Sequence, residues 1–313
     1  MTLKHDAAAM EEVRSRYENA VESLLAKVKQ DPYVLAVVLA GSLSYDVVWE
    51  KSDIDLMIIT QETRLKQDGL TLVENGISIH VNLIPRVEFK RLLEGAIQSS
   101  FIHSMLMKGK LLYTRDDTLE SLWAAREHFG VRDREIRLLQ AMAPLTLSVA
   151  KAQKWLYVKK DPLYSSYWIL KCLDSLAMIE TVMAGEITGR EVVWQALRHN
   201  PKFFQAVYTD LLTGPKTHEA VGNALTLIDS YLKEHAPLLC RPLLDYLAET
   251  GGVRSAREID HHFRNQMNVE SASFVCEWLA TEGFIQQVAA PARLTDRSRV
   301  DVEEVAYYYD AGR

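Results

Sequence analysis

The sequence has few cysteines, and their spacing does not suit a metal site. Among 313 residues there are three, Cys172, Cys240 and Cys276. They form no CxxC pair, whereas zinc sites need closely spaced cysteines and histidines. Three scattered cysteines also cannot supply the framework of a small disulfide-held scaffold. We therefore expect reduced, structural thiols in a cytoplasmic protein.

A surplus of positive charge and long apolar runs are also missing. The formal net charge is −6 and the sequence pI is near 5.9, which argues against a protein that coats nucleic acid, although a local basic patch stays compatible. No run approaches the roughly 20 apolar residues of a membrane helix. The first residues include early acids and no apolar stretch of the signal-peptide kind. We expect a cytoplasmic protein without a membrane or nucleic-acid partner.

The hydrophobic periodicity changes twice, which predicts an α+β protein in three parts. We expect a small mixed-sheet domain at residues 1–128, an all-α helical bundle at 129–237 and a winged-helix-like module at 238–313. In the first part an amphipathic helix precedes predicted strands, which lie at 34–39, 54–59, 70–73, 77–84 and 110–113. Asn75-Gly76 between the third and fourth strands is typical of a type I′ hairpin turn.

The middle part contains four helical patterns separated by proline and glycine breaks. They lie at 136–157, 163–184, 191–197 and 219–232. Its aromatic residues favour core packing, with a ligand cleft as the alternative; they are Trp155, Tyr157, Tyr164, Tyr167 and Trp168. Pro237 is expected to open the third part, where three short helical patterns precede Gly283 and a β-like run. That order is typical of a winged helix.

The stretch between the first two strands is the one that carries chemistry. Gly41-Ser42 ends the first strand, and Asp53 and Asp55 open the second. Side chains alternate along a strand, so these two carboxylates share a face about 7 Å apart. Carboxylates so placed suit Mg²⁺ ions that bridge phosphate oxygens. A glycine turn lets backbone approach phosphates closely, and a serine hydroxyl donates to a phosphate oxygen.

This pattern resembles the DNA polymerase β-like nucleotidyltransferase superfamily. Its layout is similar to small-molecule nucleotidyltransferases of the kanamycin nucleotidyltransferase type, in the Gly-Ser-Leu opening, the spacer length and the Ser52-Asp53-Ile54 sequence. The resemblance implies transfer of a nucleoside monophosphate from ATP or another triphosphate to a hydroxyl of a small acceptor. It implies catalytic, metal-binding Asp53 and Asp55, Mg²⁺ as cofactor, and nucleotide binding by Gly41, Ser42 and Ser52.

One position departs from the family pattern. The family places a third carboxylate on the strand after the hairpin, where this sequence has His80, followed by Asn82 on the same strand face. Imidazole prefers softer metals than Mg²⁺, while an amide oxygen ligates Mg²⁺ without adding charge. We expect His80 or Asn82 to complete a metal site that holds Mg²⁺ more weakly. Asp174 and Glu180 are the bundle's candidates for the base that deprotonates the acceptor, but the sequence favours solvated or helix-capping roles for both.

Two alternatives to the enzyme remain open. The first is a regulator that senses nucleotide through a degenerate domain and reads DNA through its winged helix. Residues 240–313 contain eight Arg, no Lys and twelve Asp or Glu, so this acidic part favours contacts between domains or within a homodimer instead. The second alternative, a toxin-like nucleotidyltransferase acting on protein or RNA, is disfavoured by the acidic charge and the large bundle.

Overall fold

The chain folds into two compact units, Met1–Phe129 and Gly130–Arg313. The computed structural model describes residues 7–45, 52–61, 68–95, 106, 109–125, 131–186, 188–189, 191–295 and 297–310, with only the backbone at 7–10, 42, 45, 94–95, 131–133, 250 and 301. In this described part, no helix combines the length and the apolar character needed to cross a membrane. Each unit has buried hydrophobic clusters of its own.

The first unit is built on a five-stranded mixed sheet. Its strands are β1 Val34–Ala40, β2 Ile54–Thr60, β3 Gly69–Glu74, β4 Ile77–Pro85 and β5 Lys110–Thr114. They lie in the order β3-β4-β2-β1-β5, with β2 and β4 parallel and the other neighbours antiparallel. Asn75 and Gly76 both have positive φ, 52° and 75°, as a type I′ turn requires. The predicted strands and hairpin are confirmed.

Helices cover both faces of this sheet. Helix α1, Ala7–Val28, packs on the face that carries Ile54, Leu56 and Ile58, and Lys27 Nζ lies 2.6 Å from the Glu74 carboxylate at the sheet edge. Helices α2, Arg86–Gly95, and α3, Asp117–Ala125, cover the other face. Their Phe89 and Trp123 belong to a core with Met57 and Ile59.

Asp116 begins α3 and also joins the two helices on that face. Its carboxylate accepts a hydrogen bond of 2.6 Å from Arg86 and further bonds from the backbone N–H groups of Thr118 and Leu119. These contacts, that with Arg86 first, lower the pKa of Asp116 to about 2. Asp116 is therefore an N-cap whose charge is also paired.

The second unit is mostly helical and ends in a small sheet. Its helices are α4 Val131–Gln153, α5 Pro162–Met183, α6 Val192–His199, α7 Pro201–Phe204, α8 Asp210–Thr213, α9 His218–Leu239, α10 Arg241–Thr250, α11 Ala256–Met267 and α12 Ala272–Thr281. Two π-helical turns occur, Lys154–Val158 and Gln205–Thr209. Strands β6 Arg254–Ser255, β7 Gln286–Arg293 and β8 Asp301–Tyr308 pair in the order β6-β8-β7.

One hydrophobic core runs through this whole unit, from Leu138 to Tyr307. Pro237 was expected to open a separate part, and that prediction is wrong: it lies inside α9, which continues to Leu239. A proline so near the end of a helix removes only one backbone hydrogen bond, so the last turn persists. The predicted boundary at 237/238 falls inside this helix.

Several bundle aromatics are not in the core. Tyr157, Tyr164 and Tyr167 are exposed, while Trp168 packs against the core cluster. Core packing, the favoured interpretation of these residues, is therefore wrong for the three tyrosines. Helical periodicity could not separate them from core residues, because exposed aromatic residues can follow the same three- and four-residue spacing as buried ones.

Candidate nucleotide site

The site begins where β1 ends at Gly41. This glycine has φ 71°, and a Cβ atom added to it would lie 2.3 Å from Asp55 Oδ2. The two residues are brought together because Asp55 pairs with Ala40 in the antiparallel register of β1 and β2. The Asp55 carboxylate thus occupies the volume of a missing side chain, and only glycine satisfies both the backbone angle and the contact.

A tight turn follows this glycine. Residues Ser42–Tyr45 form a short 3₁₀ helix, in which the Ser44 N–H and hydroxyl both donate to the Gly41 carbonyl oxygen, at 3.1 and 2.6 Å. Ser44 is buried, and sequence reasoning missed this role because a serine in a loop carries no distinctive pattern. The Ser42 side chain lies outside the described residues, so its proposed bond to phosphate stays a prediction.

The parallel pairing of β2 with β4 sets the neighbours of Asp55. Asp55 pairs with His80, and Met57 pairs with Asn82. His80 and Asn82 are exposed, whereas Ile79 and its alternate neighbours Ile77 and Val81 are buried. The strand register predicted for β4 is confirmed, and His80 lies beside Asp55 on the same face.

The Asp55 face of the sheet changes from apolar to polar along its strands. Met57 and Ile59 lie under α2 and α3, but Asp55, two residues earlier on β2, is only half-buried. Asp53 precedes the strand and is exposed, and Ser52 is half-buried. No described side chain or backbone N–H donates a hydrogen bond to the Asp55 carboxylate. Since no donor to this carboxylate lies in the described part of the chain, its oxygen atoms are open to a ligand.

Residues 22–118, which contain all five strands and this site, match the family model described as "Polymerase beta, Nucleotidyltransferase". By this match, residues 22–118 form a nucleotidyltransferase domain of the polymerase β-like superfamily. A solved structure, the nucleotidyltransferase-like protein from Exiguobacterium sibiricum 255-15, is similar with 16% identity and a TM-score of 0.65. The similarity covers 94% of this chain and 99% of that chain, and at this identity it concerns the fold. No curated protein matches the chain.

The donor set of this nucleotidyltransferase domain suits an oxygen-preferring cation only in part. Asp55 supplies a carboxylate on β2, Asp53 supplies another directly before that strand, and Asn82 supplies an amide oxygen two residues beyond His80 on β4. Among the described residues, however, no group of three or more His, Cys, Asp or Glu is arranged to hold a metal ion. These donors are of the oxygen type that Mg²⁺ prefers, and a cation held here would need further ligands from outside the protein.

The bundle candidates for a general base have different surroundings. Glu180 on α5 accepts hydrogen bonds from the Tyr231 hydroxyl, at 2.8 Å, and from Asn200 Nδ2, at 3.3 Å. Burial, followed by the nearby charge of Glu180, raises the pKa of Tyr231 well above its usual range. Asp174 is exposed on the same helix. Glu180 therefore links α5, α9 and the residue that precedes α7, which is a structural arrangement.

Proposed function

We propose that this protein is a Mg²⁺-dependent nucleotidyltransferase that moves a nucleoside monophosphate from ATP or another nucleoside triphosphate to a hydroxyl of a small-molecule acceptor. The observation that supports this most strongly is the Asp55 carboxylate, which packs against Gly41 and accepts no hydrogen bond from any described residue. A conformation that needs glycine at one position and leaves an acid unsatisfied at another costs stability. Binding of a ligand at the site would offset this cost.

The proposed roles follow from the chemistry of the donors. Asp53 and Asp55 would hold Mg²⁺, and the Gly41-Ser42 turn and Ser52 would contact the triphosphate. Bound Mg²⁺ would neutralise charge on phosphate oxygens in the transition state. The acceptor oxygen forms a bond to the α-phosphorus, the bond between that phosphorus and the bridging oxygen breaks, and pyrophosphate leaves. The hydroxyl proton passes to a base or to water.

His80 would stand where relatives have an acid, beside Asp55. Because metal affinity of an oxygen-ligand site rises with the charge of its ligands, two carboxylates should bind Mg²⁺ more weakly than three. Nucleotide and metal would then bind together, each supplying part of the other's site. We propose that His80 or Asn82 contacts the metal, its water shell or the nucleotide in the absence of a third acid.

The thiols support action in a reducing compartment such as the cytoplasm. Cys172, Cys240 and Cys276 are buried and form no disulfide. Burial raises the pKa of the Cys172 thiol to about 12, so its reactive thiolate is suppressed. These cysteines act as small apolar residues of the bundle core.

Calorimetric titration of the full chain with ATP and Mg²⁺ tests the site assignment. Asp53→Asn and Asp55→Asn should each abolish Mg²⁺-dependent ATP binding. Neither should unfold the chain, since each substitution relieves repulsion between neighbouring carboxylates. Asp174→Asn, the same change at an exposed bundle residue, is the matched control and should bind as wild type does. Unchanged affinity in both site variants would remove Asp53 and Asp55 from the proposed site. Pyrophosphate release with a panel of polyhydroxylated acceptors then measures turnover.

A second candidate is a catalytically degenerate, nucleotide-binding regulator with a C-terminal winged helix. It is favoured by the histidine at the third acid's position and by the order α10, β6, α11, α12, β7, β8, which is that of a winged helix. Gln140 Nε2 donates to the Met267 carbonyl at 2.8 Å, and Lys233 pairs with Glu282 at 2.8 Å, so these elements are tied to the bundle. These contacts with the bundle favour a structural role for the C-terminal elements.

Two measurements on the full chain separate the candidates. The enzyme predicts pyrophosphate release with a suitable acceptor; the regulator predicts Mg²⁺-ATP binding without any release. For the C-terminal elements, we expect duplex DNA binding no tighter than about 10⁻⁴ M at physiological salt. A micromolar, sequence-selective gel shift would favour the regulator, and concentration-dependent sedimentation would reveal a homodimer.

A further inference from the structure

A second surface of the molecule combines exposed aromatic rings with lysines. It lies at the connection between α4 and α5, residues 154–171, called the hairpin tip here. Tyr164 and Tyr167 are 42% and 45% exposed. Ring centroids are 4.3 Å apart for Trp155 and Tyr164, 5.5 Å for Tyr164 and Tyr167, and 6.0 Å for Tyr167 and Trp168. The four rings therefore form one contiguous cluster, in which Tyr164 and Tyr167 are exposed and Trp155 and Trp168 are half-buried.

The hairpin tip is also strongly cationic. Lys154, Lys159, Lys160 and Lys171 are all exposed, and within the described part of the chain no carboxylate forms an ion pair with them. Lys171 Nζ lies 5.1 Å from the Tyr167 ring centroid, in cation–π contact. The net charge of −6 is thus an average over a chain whose charges are segregated, and this patch is accessible to an anionic ligand.

Hydrogen bonds hold the hairpin tip in one conformation. The π-helical turn Lys154–Val158 is followed by a bond of 3.0 Å from the Asp161 N–H to the Trp155 carbonyl. The Ser165 hydroxyl donates to the Ala152 carbonyl at 2.8 Å and so ties α5 to α4. Asp161 also caps α5. A ligand that stacks on these rings would not need to order the backbone beneath them, which favours binding.

We propose that the hairpin tip binds an unpaired RNA strand. Unpaired bases stack on exposed aromatic rings, while lysines contact the phosphates between them. Val158 and Leu163 are exposed as well, so the surface is open, whereas small ligands bind in concave sites. A duplex keeps its bases stacked on one another and cannot use the rings. The tyrosine hydroxyls exchange hydrogen bonds with 2′-hydroxyl groups, which favours RNA over DNA.

This inference does not depend on nucleotidyl transfer, and its test omits Mg²⁺ and nucleotide. Fluorescence anisotropy of an end-labelled 12-nucleotide RNA is measured against the full-length chain at several salt concentrations. The double variant Tyr164→Leu/Tyr167→Leu keeps apolar bulk but removes the rings, and it should weaken binding by about tenfold. The triple variant Lys154→Gln/Lys159→Gln/Lys160→Gln should lower the slope of log affinity against log salt by about two, at roughly 0.7 per phosphate contact.

Matched controls carry the same chemical changes elsewhere. Tyr33→Leu removes an exposed tyrosine of the first unit, and Lys202→Gln removes an exposed lysine of α7; both should bind RNA as wild type does. All substituted residues are exposed. The tyrosine and lysine variants are independent, so if one of them misfolds, the other still decides the test. The proposal is overturned if the RNA does not bind at about 50 mM salt, if its duplex binds equally well, or if neither tip variant weakens binding. Equal binding of DNA with the same sequence would overturn the assignment to RNA.

Discussion

Two carboxylates, Asp55 of the nucleotidyltransferase domain and Glu180 of the bundle, are held in opposite ways. Asp55 is positioned by backbone alone, through the β1–β2 register and the missing side chain of Gly41, and no described group donates to it. Glu180 in the bundle is held by its own hydrogen bonds to Tyr231 and Asn200. An acid whose lone pairs are satisfied stabilises the fold, whereas one left open can bind a cation. This difference is the basis of our proposal that Asp55 binds a ligand, whereas the hydrogen bonds of Glu180 stabilise the bundle.

The largest effect is expected where the open carboxylate meets Gly41. Gly41→Ala places a Cβ atom 2.3 Å from Asp55 Oδ2 and so must displace the carboxylate, which should abolish Mg²⁺-dependent ATP binding. Gly76→Ala is the matched control: its φ is also positive, at 75°, but nothing lies within 4 Å of the added atom. Both variants should lose about 1 kcal/mol of stability from backbone strain, while only the first should lose binding in calorimetry. Normal ATP binding by Gly41→Ala would contradict the packed geometry.

Asp116, whose carboxylate is hydrogen-bonded within the protein, provides the corresponding test for an acid that stabilises the fold. Asp116→Ala removes the cap of α3 and the partner of Arg86, and should destabilise the first unit by about 2 kcal/mol in urea unfolding at pH 7. Asp116→Asn keeps a capping side chain and should lose less. Because the folded pKa, about 2, lies below the unfolded value of about 3.9, the contribution of the charge is present above pH 4. This contribution is lost as the pH falls from about 4 towards 2. If the stability of the wild type relative to Asp116→Asn did not fall over this range, the assignment would be contradicted.

A smaller stability effect is expected at the satisfied acid of the bundle. Tyr231→Phe keeps the ring that stacks on Phe203 at 4.6 Å but removes the hydroxyl bonded to Glu180. The second unit should lose about 1–2 kcal/mol, since Glu180 loses one of its two donors. Amide hydrogen exchange in α5 and α9 measures this change, and Mg²⁺-ATP binding should be unaltered. A loss of turnover at unchanged stability would instead make Glu180 part of the acceptor site.

The smallest effect is expected when a third carboxylate is added beside Asp55. His80→Glu places a third carboxylate next to Asp55 and should tighten Mg²⁺ or Mn²⁺ binding by about threefold to tenfold, because ligand charge increases. Thr71→Glu is the matched control, since Thr71 pairs with His80 on β3 and adds the same charge one strand further away. If both variants bind metal as wild type does, His80 does not contact the metal site.

The strand alternation allowed the first unit to be predicted closely. Ile77, Ile79 and Val81 had to face the core, which placed His80 and Asn82 outward before any fold was known. The bundle was harder, because helical spacing identifies a helix but does not say whether an aromatic residue on it faces the core or the solvent. Periodicity therefore identified the helices but assigned Tyr164 and Tyr167 to the core, and Pro237 to a break that the packed helix does not have.

The sequence by itself determined the local features: the strands, the Asn75-Gly76 turn, the acids at Asp53 and Asp55, and the helical second unit. Each depends on residues close in the chain, whose alternation and turn chemistry are readable directly. Only the tertiary structure decided that Asp55 fills the space of a Gly41 side chain, that His80 lies beside it and that bundle tyrosines face solvent. These depend on strand pairing across a hairpin and on helix packing, which bring together residues that no local pattern relates.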